Sequence, residues 1–152
     1  LVALVFGLVA AALRGVVLAY FRRAARVASS PFPARGPVLL VANHPAAWTD
    51  AVVLIVLLGR KLHFVAHEPL FRPRVRGLLL RLFGALPVRY HWESEASDLN
   101  RETFQECSEL FRRGEVVAIF PEGVSADDRV LQPLRSGAAR LVDRFLNESL
   151  SS

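Results

Sequence analysis

A histidine and an aspartate stand six positions apart in the stretch VANHPAAWTD, residues 41–50. His44 follows one apolar run and Asp50 opens the next. A carboxylate that holds the proton of one imidazole nitrogen fixes the tautomer, so that the other nitrogen can take a proton from a hydroxyl group. The two residues therefore have the chemistry of a general base and its orienting partner. The spacing alone equally fits a loop histidine and an early-helix anion that the helix dipole favours.

A second candidate group is the stretch IFPEGVS, residues 119–125. Pro121 and Gly123 favour a tight turn after a buried strand. Glu122 is presented at that turn, where its carboxylate could accept hydrogen bonds from substrate hydroxyls or from nearby backbone N–H groups. On these residues alone, an exposed glutamate in an ordinary strand-to-loop turn is the alternative.

Arg89, which follows the apolar segment ALPV at residues 85–88, is the third candidate. An arginine at a strand end can bind a phosphate through two parallel hydrogen bonds. Since arginines are scattered along the whole chain, a solvated arginine is the alternative. The three remaining histidines show no metal-ligand spacing with cysteine or aspartate, so the sequence predicts no metal site and no cofactor.

Several motifs that would indicate other chemistry are missing from the sequence. It contains no G-x-S-x-G, no G-x-G-x-x-G and no P-loop, which counts against serine hydrolases, dinucleotide enzymes and nucleotidases of those types. Cys107 is the single cysteine, so an internal disulfide is excluded. Its place in a helical segment favours a packed, small apolar side chain over a nucleophile.

Short apolar runs alternate with segments of helical periodicity. The sequence predicts strands at residues 37–42, 61–66, 85–88 and 115–120, and helices at residues 50–58, 75–84, 100–113 and 134–148. Continuously apolar strands are typical of a parallel sheet that helices cover on both faces, so we predict an α/β fold with a largely parallel central sheet. Ligands bind at the carboxyl ends of such strands. We therefore expect His44, Arg89 and Glu122 to lie along one edge of the sheet.

Residues 1–27 combine an apolar segment with a group of arginines at its end. We expect a membrane-associated helix. If it spans the bilayer, Arg14 costs about 2.5–3.5 kcal/mol at the centre; if it lies in the interface, its arginines extend to the head groups. A buried core helix is the alternative. The arginines would place residues 28–152, a linker and then the main domain, at the cytoplasmic face of the cell membrane.

The hydrophobic content and the positive net charge of the chain favour an anionic binding partner. Hydrophobic residues make up 53% of the chain, and its formal net charge is +5. This combination favours membrane lipids or phosphate-bearing substrates. Nucleic-acid binding is the rival interpretation, but the sequence has no helix-turn-helix, zinc-finger or RNP pattern, so we expect no nucleic-acid partner.

Four stretches, VANHPAAWTD, FVAHEPLFR, GALPVRY and AIFPEGVS, occur in this order. Together they resemble the phospholipid/glycerol acyltransferase family, in its Asn-His-Pro branch, over about residues 37–145. The resemblance implies a glycerol-3-phosphate acyltransferase-like fold. It also implies transfer of a fatty acyl group from acyl-CoA or acyl-carrier protein, as co-substrate, to a hydroxyl of lysophosphatidate or a related glycerol phosphate in phospholipid biosynthesis.

The resemblance also implies a role for each candidate residue. His44 would be the general base and Asp50 its partner, while Glu122 and Gly123 would bind the acceptor and Arg89 its phosphate. The supporting positions of the two motifs are Asn43, Pro121 and Ser125.

The sequence departs from the usual family pattern at three places. Five residues, 45–49, separate the histidine from the aspartate where the family usually has four, and His67 stands where many relatives carry lysine. The family's last block is not found, so we expect the chain to lack the C-terminal part of the domain. Acylation of glycerol 3-phosphate or dihydroxyacetone phosphate, and an inactive lipid-binding relative, are the alternatives.

Overall fold

The computed structural model describes residues 2–21, 30–46, 48–89, 96–123 and 130–150. Within these residues the chain forms five α-helices, four β-strands and one 3₁₀ turn. In chain order they are α1 (Val2–Tyr20), β1 (Val38–Val41), α2 (Trp48–Leu58), β2 (Leu62–His67), the 3₁₀ turn (Glu68–Phe71), α3 (Arg74–Leu82), β3 (Leu86–Val88), α4 (Ala96–Arg112), β4 (Val116–Ile119) and α5 (Gly137–Leu150).

The four strands form one sheet in the order β1-β4-β2-β3, and every neighbouring pair is parallel. The predicted α/β fold with a parallel sheet is therefore confirmed, as are the four predicted strands. Because the strands are parallel, their carboxyl ends all lie at one edge. The polar residues that follow β1, β3 and β4 consequently emerge on the same side of the sheet.

Alternation along β4, the best-buried strand, divides the core into two parts. Val117 and Ile119 pack with α4 and α5 on one face of the sheet, in the cluster that includes Cys107 and Leu141. The other face is covered by α2, whose Ile55 packs against the second cluster of strand residues. Since each fully buried valine or isoleucine contributes about 1.5–3 kcal/mol, this central strand fixes the sheet between its two helical layers.

Glycines end α2 and α4, as their positions in the sequence predict. Gly59 and Gly114 have φ values of 66° and 73°, a left-handed conformation that glycine adopts without a steric penalty. Next to Gly59, the guanidinium of Arg60 donates hydrogen bonds to the carbonyl oxygens of Pro33 at 2.9 Å, Gly36 at 2.9 Å and Gly114 at 2.6 Å. Arg60 therefore holds the loops at the amino end of the sheet together.

The N-terminal helix α1 packs against α2 and buries Val17. Among the α1 side chains that the structure describes, the large apolar Leu8, Val16, Leu18 and Tyr20 are exposed. Among the described residues, no helix has both the length and the apolar content needed to cross a bilayer. The arginines at positions 22, 23 and 26, on which part of the N-terminal prediction rests, lie outside the described residues.

Candidate active site

The loop after β1 bends the carboxylate of Asp50 back onto the ring of His44. The two side chains meet at 3.0 Å between Nδ1 and Oδ2, and each is 20% exposed. The same Oδ2 accepts a hydrogen bond of 2.9 Å from the backbone N–H of Ala46, and Thr49 N–H donates to the carbonyl of Ala46 at 3.0 Å. Helix α2 begins at Trp48, so Asp50 lies in its first turn. The aspartate thus is an early-helix anion and also pairs with the histidine.

This arrangement fixes which imidazole nitrogen can act on a substrate. A carboxylate only accepts hydrogen bonds, so in the neutral ring of His44 the proton lies on Nδ1. The other nitrogen, Nε2, then carries the lone pair that a general base requires. The five-residue spacing between His44 and Asp50 therefore permits the base–orienter geometry.

Glu122 is buried, with 4% of its surface exposed, and it contacts the main chain of His44. Its Oε1 accepts a hydrogen bond of 3.2 Å from the backbone N–H of His44. The strand register explains the contact: Val41 is paired with Ile119, and His44 and Glu122 each lie three residues beyond those strand ends. The alternative of an exposed glutamate in an ordinary turn is thus wrong, and the carboxylate fixes a backbone N–H instead.

An aromatic ring that the sequence analysis did not single out supports the face of the histidine. Phe120 is stacked on His44, with 4.0 Å between the ring centroids and 13° between the planes. Phe64 lies behind it, with centroids 6.1 Å apart. The only signal in the sequence was the position of Phe120 directly before Pro121. The His44 ring is therefore oriented by a carboxylate at its edge and by an aromatic ring on its face.

The turn that carries Glu122 is held by a residue from a distant segment. Arg135 donates hydrogen bonds from its backbone N–H to the carbonyl of Pro121 at 2.8 Å and from Nε to the carbonyl of Glu122 at 3.1 Å. Gly123 closes the turn onto Phe120 with a φ of 70°, a conformation that explains the glycine. Sequence reasoning missed Arg135, because no local pattern relates it to this turn.

Arg89 directly follows β3 and therefore lies at the carboxyl ends of the strands, as His44 does. However, β1 and β3 are the two outermost strands of the sheet, so Arg89 and His44 follow strands at opposite ends of the strand order. Three strand-to-strand steps of about 4.8 Å separate β1 from β3, roughly 14 Å in total. The guanidinium Nε of Arg89 is 3.6 Å from Oε2 of Glu68. Asn100 fixes the backbone of Arg89 through two hydrogen bonds, of 2.9 Å from the N–H and 2.8 Å to the carbonyl. The structure thus places Arg89 on the predicted edge, while His44, Asp50 and Glu122 form a tighter group.

The three positions predicted to support the site differ in what the structure shows of them. Asn43 is exposed beside His44, and Pro121 is buried in the turn before Glu122, whereas Ser125 lies outside the described residues.

Cys107 is a packed side chain and not a nucleophile. Burial raises the pKa of its thiol to about 12, so little of it is thiolate. Within the described ranges, no group of three or more His, Cys, Asp and Glu side chains stands close enough to hold a metal ion.

Comparison with known families agrees with the resemblance that the sequence motifs carry. The family model described as Acyltransferase matches residues 25–146. This range covers most of the chain and contains both the His44–Asp50 stretch and the Glu122 turn. The chain belongs to the acyltransferase family.

Three curated proteins are similar to this chain. It is 27% identical over 110 residues to a 1-acyl-sn-glycerol-3-phosphate acyltransferase of Bacillus subtilis (strain 168), covering 72% of this chain and 51% of the relative. It is 31% identical over 103 residues to the chloroplastic 1-acyl-sn-glycerol-3-phosphate acyltransferase BAT2 of Brassica napus, covering 67% and 28%. The chloroplastic 1-acyl-sn-glycerol-3-phosphate acyltransferase LPAT1 of Arabidopsis thaliana is 29% identical over 103 residues, covering 67% and 27%.

The chain therefore spans about half the length of the bacterial relative and about a quarter of the plant relatives. No solved structure matches it significantly.

Proposed function

We propose that this chain is the catalytic domain of a membrane-associated O-acyltransferase of phospholipid biosynthesis. It transfers a fatty acyl group from acyl-CoA or acyl-carrier protein to a hydroxyl of lysophosphatidate or a related glycerol phosphate. The observation that carries the proposal is the 3.0 Å contact between His44 and Asp50 at the carboxyl edge of a parallel sheet. The names of the curated relatives supply the acceptor class.

In the proposed reaction, Nε2 of His44 takes the proton of the acceptor hydroxyl. The hydroxyl oxygen attacks the carbonyl carbon of the thioester, and the bond between carbon and sulfur breaks as the ester forms. The proton then passes from His44 to the departing thiolate. No covalent enzyme intermediate is needed, because the acceptor oxygen is itself the nucleophile.

The carboxylate of Asp50 has two effects on this step. It holds the proton on Nδ1, and its negative charge stabilises the imidazolium that forms when Nε2 accepts a proton. Glu122 acts one contact further away, since it fixes the main chain from which the His44 side chain extends. We infer that Glu122 and Gly123 affect acceptor binding through the shape of this turn, with Pro121, Asn43 and Ser125 in supporting positions.

Arg89 is proposed to bind the phosphate of the acceptor. Its present partner, Glu68, is also an anion, so an incoming phosphate must displace or share that contact. Arg89 is roughly 14 Å from the β1 strand. The acceptor must therefore extend along the carboxyl edge of the sheet, or loops of the protein must close over the acceptor.

We further propose that residues 1–27 bring this domain, residues 28–152, to the cytoplasmic face of the cell membrane. The exposed apolar side chains of α1 support membrane association, since such a surface is stabilised in the bilayer interface. The acyl acceptor would then enter the site from the membrane.

Two alternatives make different predictions for the same residues. Glycerol 3-phosphate or dihydroxyacetone phosphate as acceptor would use the same His44 and Asp50, with a water-soluble substrate. An inactive lipid-binding relative would not require His44 and Asp50 to be paired, and their 3.0 Å contact weighs against it.

The test is an acyl-transfer assay on the full-length protein with labelled acyl-CoA or labelled acyl-carrier protein. Lysophosphatidate, glycerol 3-phosphate and dihydroxyacetone phosphate are supplied in separate reactions. We expect labelled phosphatidate from lysophosphatidate, and a loss of about a thousandfold in the His44→Ala variant, because a general base contributes on the order of 10²–10⁴. Wild-type activity in His44→Ala would overturn the mechanism, and no transfer to any of the three acceptors would overturn the function.

A further inference from the structure

Helix α3 carries a stripe of apolar side chains that faces outward. Val75 is 74% exposed, Leu78 61%, Leu79 50% and Leu82 58%. The spacing of i, i+3, i+4 and i+7 places all four on one side of the helix. A contiguous exposed apolar surface of this kind often marks an interaction site, whereas single apolar residues scattered over a surface do not. We call these four residues the α3 stripe.

The opposite side of α3 is attached to the protein. Gly77 and Leu80 are buried, and the helix packs on the 3₁₀ turn. A Cβ atom at position 77 would lie 2.2 Å from the carbonyl oxygen of Phe71, so only glycine permits this close approach. With about 100° of rotation per residue, Gly77 and Leu80 point directly away from the α3 stripe. The stripe is therefore held outward by the packing of its own helix.

Arginines border the α3 stripe on both sides. On the same helical projection, Arg74 and Arg81 lie along one border and Arg76 along the other. Arg76 is anchored by a hydrogen bond of 2.7 Å to the carbonyl of Leu70, and the guanidinium of Arg81 lies 5.4 Å from the ring centroid of Phe71. The sequence of α3, RVRGLLLRL, contains no acidic residue. The helix thus combines an exposed apolar stripe with cationic borders.

We propose that α3 docks on a bilayer that contains anionic lipids, with the α3 stripe inserted at the boundary between head groups and acyl chains. Apolar residues in the centre and long cations at the borders are the composition that binds such an interface, because the arginine stems extend to the lipid phosphates. The single sign of charge on the helix favours an anionic membrane over a protein partner.

The inference adds a second membrane contact to the one proposed for residues 1–27, and it does not depend on the reaction. It has a structural consequence for the site. Helix α3 begins soon after β2 and the 3₁₀ turn, whose Glu68 pairs with Arg89. Docking through α3 therefore brings the carboxyl edge of the sheet close to the membrane surface.

The first test places a polarity-sensitive fluorophore on the α3 stripe through Leu78→Cys. The matched control is Leu146→Cys, an exposed leucine of α5. Cys107 is fully buried, so the label attaches to the introduced cysteine, and the unsubstituted protein shows the background. On addition of vesicles of phosphatidylcholine with phosphatidylglycerol, we expect a blue shift and several-fold brighter emission at position 78 and little change at 146.

Three results would overturn the proposal. The label at position 78 could stay in water while the protein binds the vesicles, which would assign binding to another surface. It could already be shielded before vesicles are added, which would mean that another part of the protein covers the stripe. It could respond no more than the label at position 146.

The second test measures vesicle co-sedimentation of the double variant Val75→Glu/Leu78→Glu. Its control, Leu146→Glu/Leu150→Glu, adds the same charge to exposed apolar positions of α5. We expect the partition coefficient to fall by about tenfold or more in the α3 variant and to change little in the control.

The charge of the borders is tested separately by Arg74→Gln, with Arg140→Gln on α5 as its control. Loss of one arginine near an anionic surface corresponds to about fivefold weaker binding. Vesicles of phosphatidylcholine alone should abolish the difference between Arg74→Gln and the unsubstituted protein. Equal losses in the α3 and α5 variants would contradict a specific docking surface on α3.

Discussion

The two ends of the sheet use charged residues in opposite ways. At the amino end, Arg60 donates hydrogen bonds to three backbone carbonyl oxygens and closes the loops over the sheet. At the carboxyl end, His44 and Asp50 bind each other and remain 20% exposed. The guanidinium of Arg60 bonds to the main chain, whereas the imidazole of His44 bonds to a side chain through Nδ1. Under the proposed function, its Nε2 then acts on the acceptor. Under the proposed function, the position of a polar residue relative to strand direction thus separates a structural role, that of Arg60, from a chemical one, that of His44 and Asp50.

The largest effect should come from the carboxyl end, with Asp50→Asn. The asparagine amide can donate a hydrogen bond to Nδ1 of His44, which moves the ring proton to Nε2 and removes the base. We expect acyl transfer to fall by about a thousandfold, while the midpoint of urea unfolding changes little. Steady-state kinetics and urea titration check both parts. A loss below tenfold in this variant would show that the carboxylate does not orient the base.

The counterpart at the amino end is Arg60→Ala. It removes three charge-assisted hydrogen bonds to carbonyls, so we expect the free energy of unfolding to fall by about 2–4 kcal/mol. The acyl-transfer rate per folded molecule should stay close to that of the unsubstituted protein. The comparison between the two ends would fail if Arg60→Ala slowed the folded enzyme as strongly as Asp50→Asn does.

Glu122 sharpens the comparison between the two ends of the sheet. It lies at the carboxyl end, but its buried carboxylate contacts the main chain, as Arg60 does at the amino end. A glutamine at this position keeps an oxygen that can accept the hydrogen bond from His44 N–H, whereas an alanine does not. We expect Glu122→Gln to reduce activity by less than about tenfold. Glu122→Ala releases the main chain of His44, and we expect it to reduce activity by about a hundredfold, because a small displacement of a catalytic group costs roughly that much. If the two variants are equally slow, the charge of Glu122 itself acts on the acceptor.

A second histidine, inside β2, provides the smallest effect. Burial, with a further contribution from Lys61, lowers the pKa of His63 below its ordinary value of 6.5. The unfolded state therefore binds this proton at a higher pH than the folded state does. The contribution of His63 to stability is complete above pH 6.5 and is lost as the pH falls through its lowered value.

Urea unfolding at a series of pH values checks this expectation. The His63→Leu variant should show a weaker decline of stability below pH 6.5 than the unsubstituted protein. An unchanged decline would show that other groups account for the acid sensitivity. His63 would then offer no contrast with the paired, partly exposed His44.

The sequence predicts the elements of this fold better than their arrangement. Continuous apolar runs and the glycines at positions 59 and 114 mark the strands and two of the helix ends, since these features depend on local physics. The bounds differ by a few residues: α2 begins at Trp48 and α5 at Gly137, where residues 50 and 134 were expected. The strand order β1-β4-β2-β3 was not predictable, because pairing between distant strands depends on the packing of the whole domain.

The same limit separates the parts of the candidate site. The pairing of His44 with Asp50 could be formulated from the seven consecutive residues 44–50, although the bend of the loop could not. The bond from His44 to Glu122 follows only from the register of β1 with β4, and the clamp by Arg135 has no local signal at all. The apolar residues of α3 indicated a helix, but only the packing of Gly77 on the 3₁₀ turn shows that four of them face outward.

A double-mutant cycle on His44 and Asp50 tests the central claim most directly. If Asp50 acts only through the imidazole, His44→Ala and His44→Ala/Asp50→Asn should transfer acyl groups at the same residual rate, because the second substitution has no base left to disturb. Rates are measured on the full-length protein with labelled acyl-CoA and lysophosphatidate. Should the double variant instead show the product of the two single losses, the residues act independently, and His44 and Asp50 do not form one catalytic unit.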